Sequence, residues 1–415
     1  MLALRVCLLT FCLLPMGLAF GQGLIKMESE SLFSLRNDMK EQREAPFYEF
    51  FAANYKSNDQ TLKLDSNFGF FYDLANNTNE QQLNLYLLNF QYDLVKDRIT
   101  VSGGRTTDPV RTIGWTTLDM LSVDMHFLEQ RLTLGAFAGK ERILDIGNFK
   151  NQADIIGGHV YYRTTDVYPL HLSSKFQHRQ YNILNKDPEN LASVGAEKTF
   201  EAGWSPEVLA SSTYNLTSNE TQKVEAGLDL YPSIYFVNRW RLTTYKTTAK
   251  DGIEDPIFSI ISRGRLNEAM AQIENHWTPR FVSSVTLAYD DYLLQESLRA
   301  QGYRGELSFN YQPDSSKINN KYYYFKSYGG YVFGGSISLT QKIFDKNEIY
   351  LAEDVTYYNK ITSAKSVAFN TEAMYGHLWK DFKLQLGGEF NSNNSLTYDV
   401  RMLAKLSYVG QMERN

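Results

Sequence analysis

Histidine and cysteine carry much of the catalytic and metal chemistry of proteins, and their spacing in this chain favours neither. The six histidines are His126, His159, His171, His178, His276 and His377. None stands in an HExxH or Cys/His spacing that would hold a metal ion. Both cysteines, Cys7 and Cys12, fall within the first 21 residues. We therefore expect no metal site and no cofactor, and we interpret the histidines as polar residues of strands.

One histidine could serve an enzyme that acts on lipid. Such a hydrolase would need a serine, a histidine and an orienting polar group on a lipid-facing surface. His377 has the alternation parity of Val367, Phe369 and Tyr375, which are expected to face lipid. No serine in a recognisable motif accompanies it. A non-enzymatic protein is the preferred interpretation.

Charged side chains supply the remaining chemistry, and they recur at every second position. In residues 221–231, Lys223, Glu225 and Asp229 alternate with apolar residues at 224, 226, 228 and 230. The same split runs through 396–409 and, in shorter form, through 62–74, 132–138, 304–311 and 382–390. A period of two predicts β-strands that each have one apolar face.

Segment length and connection length indicate that these strands cross a membrane. The segments run to about 10–14 residues, which suits a tilted strand in a bilayer better than an average soluble strand. Short links at 96–98, 128–131, 278–280 and 379–381 interleave with longer polar ones at 75–81, 106–114, 142–152 and 248–255. Short turns alternating with longer loops are typical of outer-membrane barrels.

Composition excludes several other classes of protein. Charged residues make up 21% and mean hydropathy is −0.38, and no run of 18 apolar residues occurs after the leader, so helical membrane spans are excluded. Aromatic residues reach 14% against only 10 prolines, which argues against disorder. Acidic and basic residues are interspersed with an acidic excess, so nucleic acid is not an expected partner.

Residues 1–21 have the pattern of a secretory signal peptide. Arg5 precedes an apolar run over 6–14, Pro15 breaks it, and Ala19 and Gly21 supply the small residues that a signal peptidase requires. Gln22 is then the first mature residue, with cleavage after Ala19 as the alternative. The rest of the chain, 22–415, shows no composition break and is expected to form a single outer-membrane barrel domain.

The fold class expected is all-β, a closed antiparallel transmembrane β-barrel of about 18–20 strands, within a range of 16–22. A direct count of alternating segments reaches about 21. Because bacterial single-chain barrels have an even number of strands, one segment should be miscounted. The two suspects are 26–36 and 321–331.

Residues 99–105 (ITVSGGR), followed by Leu118-Asp119 and a strand that ends at Phe127, carry a family resemblance. With the next segment, LTLGAFAGK, they resemble a strand pair of porin-like outer-membrane channels of the alginate-export type. The match covers about 45 residues. It implies a porin-like barrel in the bacterial outer membrane.

Alternation places many charges toward the barrel interior, and a wide barrel with inward charges is expected to hold water. The expected pore-lining residues are Lys63, Asp65, Arg98, Arg131, Arg163, Lys223, Glu225, Asp229, Arg239, Arg241, Arg304, Glu306, Lys383, Glu389, Asp399, Arg401 and Lys405. Their signs are mixed, so strong charge selectivity is not expected. The alternative is that these charges only solvate a barrel that its own loops plug.

The function predicted is an outer-membrane porin or diffusion channel for small hydrophilic solutes. Its expected partners are outer-membrane lipid, the solutes and the barrel-assembly machinery, and a homo-oligomer is left open. A non-transporting surface barrel, such as an adhesin or structural protein, is the second hypothesis, and a lipid-modifying outer-membrane enzyme is the third. The transported solute and the constricting loop are not determined by the sequence.

Overall fold

The chain forms one continuous antiparallel sheet that closes on itself. The computed structural model describes residues 23–38, 43–73, 82–107, 117–145, 148–164, 167–182, 187–201, 204–233, 235–246, 265–295, 298–327, 330–360, 366–393 and 398–414. The signal-peptide prediction for 1–21 lies outside these residues. Among them, no helix is long and apolar enough to cross a membrane.

The strands are long and are numbered in chain order. They are β1 Gly23–Asp38, β2 Arg43–Glu44, β3 Pro46–Ser57, β4 Leu62–Asp73, β5 Gln82–Val95, β6 Ile99–Thr107, β7 Thr117–Phe127, β8 Leu132–Asp145, β9 Asn148–Arg163, β10 Leu170–Tyr181, β11 Glu189–Thr199 and β12 Glu207–Asn215. They continue with β13 Glu220–Ser233, β14 Phe236–Lys246, β15 Arg265–Thr278, β16 Phe281–Gln295, β17 Leu298–Tyr311, β18 Ser316–Ser327, β19 Gly330–Ile343, β20 Asn347–Lys360, β21 Ser366–Trp379, β22 Phe382–Ser392 and β23 Asp399–Arg414.

Pairing of the first and last strands closes the barrel. β1 and β23 are antiparallel over their full lengths, from Gly23 opposite Arg414 to Asp38 opposite Asp399. β2 is a two-residue strand that pairs only with the end of β1. Within the described residues, the wall therefore contains 22 long strands, and closure leaves none of them as an edge whose backbone groups would be unpaired in lipid.

The all-β closed-barrel prediction is confirmed, with a strand number at the top of the expected range. Both suspected segments are strands, since 26–36 lies in β1 and 321–331 covers parts of β18 and β19. One connection is much shorter than the sequence implies. The stretch 142–152, expected to be a loop, is almost entirely strand, because β8 ends at Asp145 and β9 begins at Asn148.

The convex outer face is apolar. Curvature spreads the outward side chains apart, and Leu121, Leu242 and Met402 keep 55%, 62% and 65% of their surface exposed. Exposed apolar side chains of this kind follow one another at every second position, as in Phe382, Leu384 and Leu386. A continuous exposed apolar band is the surface that a transmembrane barrel turns to hydrocarbon.

Glu353 and Glu49 place acidic side chains within this band. Glu353, in the middle of β20, lies between Ile337 and Thr371 in the register, and the Thr371 hydroxyl donates a hydrogen bond of 2.5 Å to its carboxylate. Glu49, on β3, accepts hydrogen bonds from Ser29 and Ser31. Hydroxyl donors on neighbouring strands thus supply hydrogen bonds that lipid cannot.

Candidate functional site: the inner wall of the barrel

The concave side chains of the barrel form its inner wall, which carries most of the charges that alternation assigns to the interior. On β13, Val224 and Ala226 are exposed on the outer face, whereas Glu225 is half-buried and Asp229 is buried on the other face. On β23, Asp399 is fully buried while its neighbours Tyr398 and Val400 are exposed. Inward side chains crowd together on the concave surface, so they contact one another.

Three of the expected pore-lining arginines lie instead at one end of the barrel. Arg98 and Arg131 are in the turns that join β5 to β6 and β7 to β8, and their backbone amides donate hydrogen bonds to Val95 and Leu128. Arg163 is the last residue of β9 at the same end, and it is exposed. Arg98 and Arg131 thus lie in the short links that the sequence predicts at 96–98 and 128–131, and their pore-lining role stays a prediction.

An ion-pair cluster occupies the inner wall between β13 and β14. Both terminal nitrogens of the Arg241 guanidinium donate hydrogen bonds to the Asp229 carboxylate, with Nη2 at 2.9 Å from Oδ2. Arg239 Nε lies 3.8 Å from the same carboxylate. Lys223 and Glu225, two residues apart on β13, pair at 2.8 Å. These five predicted residues therefore lie together.

The next charges along the wall pair with residues that sequence reasoning missed. Arg304 on β17 bonds Glu268 on β15 at 2.6 Å, which spans the intervening strand. Glu306 pairs with Lys321 on β18 at 2.8 Å. Glu268 was missed because β15 alternates weakly, with small residues such as Ala269 and Ala271 on its outer face.

Near the seam between β1 and β23, charged residues form a longer series. Lys383 Nζ is 2.5 Å from Glu348 on β20, and Lys405 Nζ is 2.8 Å from Glu30 on β1. Between them, Arg401 contacts Glu389 at 3.3 Å and Asp399 at 2.8 Å. Glu348 and Glu30 were also not identified from the sequence.

Lys63 and Asp65 lie two residues apart on β4, on the face opposite Leu62 and Leu64. No hydrogen bond or ion pair joins either side chain to another described residue. These two predicted residues are therefore inner-wall charges that remain available to solvent.

The inner wall is not uniform around the barrel. Over β8 to β11 many inner side chains are almost fully buried, including Phe137, Glu141, Lys175 and Arg179. Arg179 lies 3.4 Å from Glu141, and the Lys175 ammonium lies 5.0 Å from the centre of the Phe137 ring. Over β17 to β23 the inward charged side chains whose burial is described, apart from Asp399, are half-buried or exposed. The accessible charges are therefore concentrated on one side.

The tyrosines at 322–324 divide between the two faces. Tyr322 is exposed on the outside with its ring over Gly335, where an added Cβ would lie 3.0 Å from the ring. Tyr323 points inward, and its hydroxyl bonds Thr356. Gly334 and Gly335 thus give room to aromatic rings on both faces, as expected for glycine inside strands.

His377, the histidine considered for a lipid-acting hydrolase, lies on the outer face with Phe369 and Tyr375. His377 is exposed and its Nδ1 lies 2.7 Å from the Asn347 side chain, which also accepts a hydrogen bond from Tyr375. No group of three His, Cys, Asp or Glu side chains in the described part of the chain is arranged to hold a metal ion.

No protein-family model matches the sequence, and no curated protein matches it either. Solved structures do match. The siderophore receptor PirA from Acinetobacter baumannii aligns at 9% identity over 93% of this chain and 80% of its own, with a TM-score of 0.61. OccK3 (OpdO) from Pseudomonas aeruginosa (8% identity, 94% of this chain, 96% of its own) and a BenF-like porin from Pseudomonas fluorescens Pf-5 (6%, 95%, 100%) score 0.46 and 0.47. At such identities the likeness is one of fold alone, and the chain has the fold of an outer-membrane β-barrel protein.

Proposed function

We propose that the protein is an outer-membrane diffusion channel for small hydrophilic solutes. The observation that carries this proposal is a closed wall of 22 long strands whose outer face is apolar and whose inner face is charged. Inward charges in so wide a barrel stabilise water rather than a dry core. A water-filled barrel that spans the membrane conducts solutes.

The half-buried charges of β17 to β23 support a passage along that side of the barrel. The packed inner side chains of β8 to β11 reduce the open cross-section on the other side. Because most wall charges are paired in acid–base contacts, we expect only modest selectivity between small anions and cations. The series near Arg401 lies on this accessible side of the wall.

The resemblance to alginate-export-type porins adds a finer proposal. The arginine of its GGR segment, Arg105, and the aspartate of its Leu-Asp pair, Asp119, form a bidentate ion pair between β6 and β7. A contact between the two residues that carry the resemblance is consistent with a shared strand pair. We propose that the chain belongs to that family and is recognised by the barrel-assembly machinery. Homo-oligomer formation is a further proposal.

Planar-bilayer recording on the refolded full-length mature protein tests the channel directly. We expect discrete conductance steps, and we expect liposomes containing the protein to admit small sugars. A folded preparation that never conducts would reject the channel and favour the surface-binding hypothesis. Folding is checked independently on a detergent gel, where an unheated sample of the folded protein should migrate faster than a boiled one.

Cell fractionation tests the location and the leader. We expect the protein in the outer-membrane fraction, with a mature amino terminus at Gln22 or, failing that, at Phe20. Recovery from the soluble periplasm without the heat-dependent change in mobility would reject the outer-membrane assignment.

A further inference from the structure

A cavity of about 680 Å³ opens on the inner wall beside the seam of the barrel. Side chains of β1, β3 and β20 to β23 line it, among them the acids Glu30, Glu372 and Glu389 and the bases Arg401 and Lys405. Its volume is in the range of pockets that hold small organic ligands. The cavity lies on the accessible side of the wall, where a solute would pass.

Both basic side chains at the cavity are already committed to acids of the wall. The Arg401 guanidinium bonds Asp399 through Nε and Nη2 at 3.0 and 2.8 Å, and it also contacts Glu389. Lys405 is held by Glu30. An anionic solute would have to compete with these carboxylates for both cations, so the cavity is poorly suited to anions.

Glu372 is the acid that remains available. It lies directly opposite Glu389 in the register of β21 and β22. Glu389 is satisfied by Arg401 and by the side-chain amides of Asn370 and Asn391, at 2.7 and 2.9 Å. Glu372 makes no hydrogen bond or ion pair with any described residue. The three acids at the cavity outnumber its two bases, which leaves the cavity with an excess of negative charge.

Aromatic side chains complete the lining. Tyr48 on β3 and Tyr350 on β20 both border the cavity, on opposite sides of the seam strands. The faces of such rings attract ammonium and guanidinium groups, most strongly where water is partly excluded. Tyr350 is the nearer of the two to Glu372, because it pairs with Met374, two residues along β21 on the same face. A carboxylate with an aromatic ring beside it is an arrangement suited to an organic cation.

We propose that this cavity is a binding site for small organic cations on the permeation path, with Glu372 as the charged acceptor and Tyr350 as the aromatic wall beside it. The inference rests on the proposed channel function and narrows it to a favoured solute class, the amines and quaternary ammonium compounds. Neutral solutes of similar size pass the same lumen without being held there.

The test compares the fluxes of choline and sorbitol into liposomes that contain the refolded full-length mature protein, at low ionic strength to limit screening. We expect choline flux to saturate with concentration, whereas sorbitol flux should rise linearly. Glu372→Gln should lower the choline-to-sorbitol flux ratio about five-fold, a factor typical of losing one partly exposed charge contact. Tyr350→Leu should lower it less.

Glu353→Gln is the matched control. Glu353 lies opposite Thr371, the chain neighbour of Glu372, but on the outer face of the wall. The same chemical change on the lipid side should leave both fluxes as in the unmodified protein. Gel mobility before and after boiling, together with sorbitol flux, establishes that each variant is folded and open.

The outcomes separate the two proposals. Absence of sorbitol flux in the folded, unmodified protein overturns the channel itself. Normal sorbitol flux with linear choline flux, or with a flux ratio that Glu372→Gln leaves unchanged, overturns the cation-binding site and keeps the channel. An equal loss of ratio in Glu372→Gln and Glu353→Gln would also overturn it, because the effect would not depend on the inner face.

Discussion

Arg105 and Asp119 join β6 to β7 by a two-point ion pair, with Nε 2.6 Å from Oδ1 and Nη2 2.9 Å from Oδ2. The two residues are register partners on the outer face, beyond the exposed apolar residues Leu121 and Val123. Their side chains are 14% and 28% exposed. Paired geometry of this kind is the strong form of a charge-assisted hydrogen bond.

Loss of this pair should destabilise the barrel measurably. Arg105→Ala is expected to lower the free energy of unfolding by about 1–3 kcal/mol, because a partly buried carboxylate loses its partner. A double-mutant cycle with Asp119→Ala, measured by urea unfolding in lipid vesicles, should give a coupling of about 1 kcal/mol or more. Strictly additive effects would show that the two side chains contribute independently.

A lysine introduced at Leu228 or at Glu225, on the two faces of β13, should affect different properties of the protein. Leu228→Lys puts an ammonium group on the lipid face and is expected to cost about 2–4 kcal/mol near the bilayer midplane. Glu225→Lys changes an inner-wall charge that stays in water, so folding should be nearly unchanged. The reversal potential of the Glu225→Lys channel should instead shift in the direction that indicates a greater preference for anions.

Unfolding titrations and bilayer recordings on the same two variants provide the measurements. Equal destabilisation by Leu228→Lys and Glu225→Lys would contradict the assignment of faces. A folded Glu225→Lys channel with unaltered ion preference would place that residue away from the constriction.

Glu353 should lower the stability of the barrel in lipid. It lies at the middle of β20 between Leu351 and Val355 on the outer face, with one hydroxyl partner. Glu353→Leu is expected to raise the free energy of unfolding by roughly 1 kcal/mol, since acidic residues on the lipid face cost less than Arg or Lys. Unfolding titrations in lipid vesicles check this. Leu351→Ala, which removes an apolar side chain from the same face, should lower the free energy of unfolding. A marked destabilisation by Glu353→Leu would indicate that the carboxylate has a binding partner in the membrane.

Asp59, in the turn between β3 and β4, should contribute stability to the folded barrel that is lost at low pH. Hydrogen bonds from the Ser57 hydroxyl at 2.6 Å, the Thr61 amide at 3.2 Å and the Thr61 hydroxyl lower the pKa of this carboxyl below its ordinary value of 3.8. A pKa that is lower in the folded state gives stability that is present above pH 3.8 and is lost as pH falls through the folded value.

Thermal unfolding between about pH 5 and pH 2 tests the role of Asp59. The unmodified protein should lose stability over this range slightly more steeply than Asp59→Ala, because only it loses the turn contribution. Identical pH profiles would show that the turn hydrogen bonds do not favour the charged carboxylate.

Several inner-wall contacts could not have been read from the chain. Lys405 and Glu30 are at opposite ends of the sequence and meet only because β1 pairs with β23. Arg304 reaches Glu268 across an intervening strand, which depends on the register of three strands at once. Glu372 and its cavity likewise arise from six strands brought together at the seam.

The sequence by itself determined which face each strand residue takes, because successive side chains of an extended backbone point to opposite sides whatever their neighbours are. It therefore assigned Glu225, Glu389, Arg401 and Lys405 to the inner face, and it predicted a closed all-β barrel. Only the tertiary structure decided the strand number and the partner of each charge. Those depend on register and closure, which are properties of all the strands together rather than of any one segment.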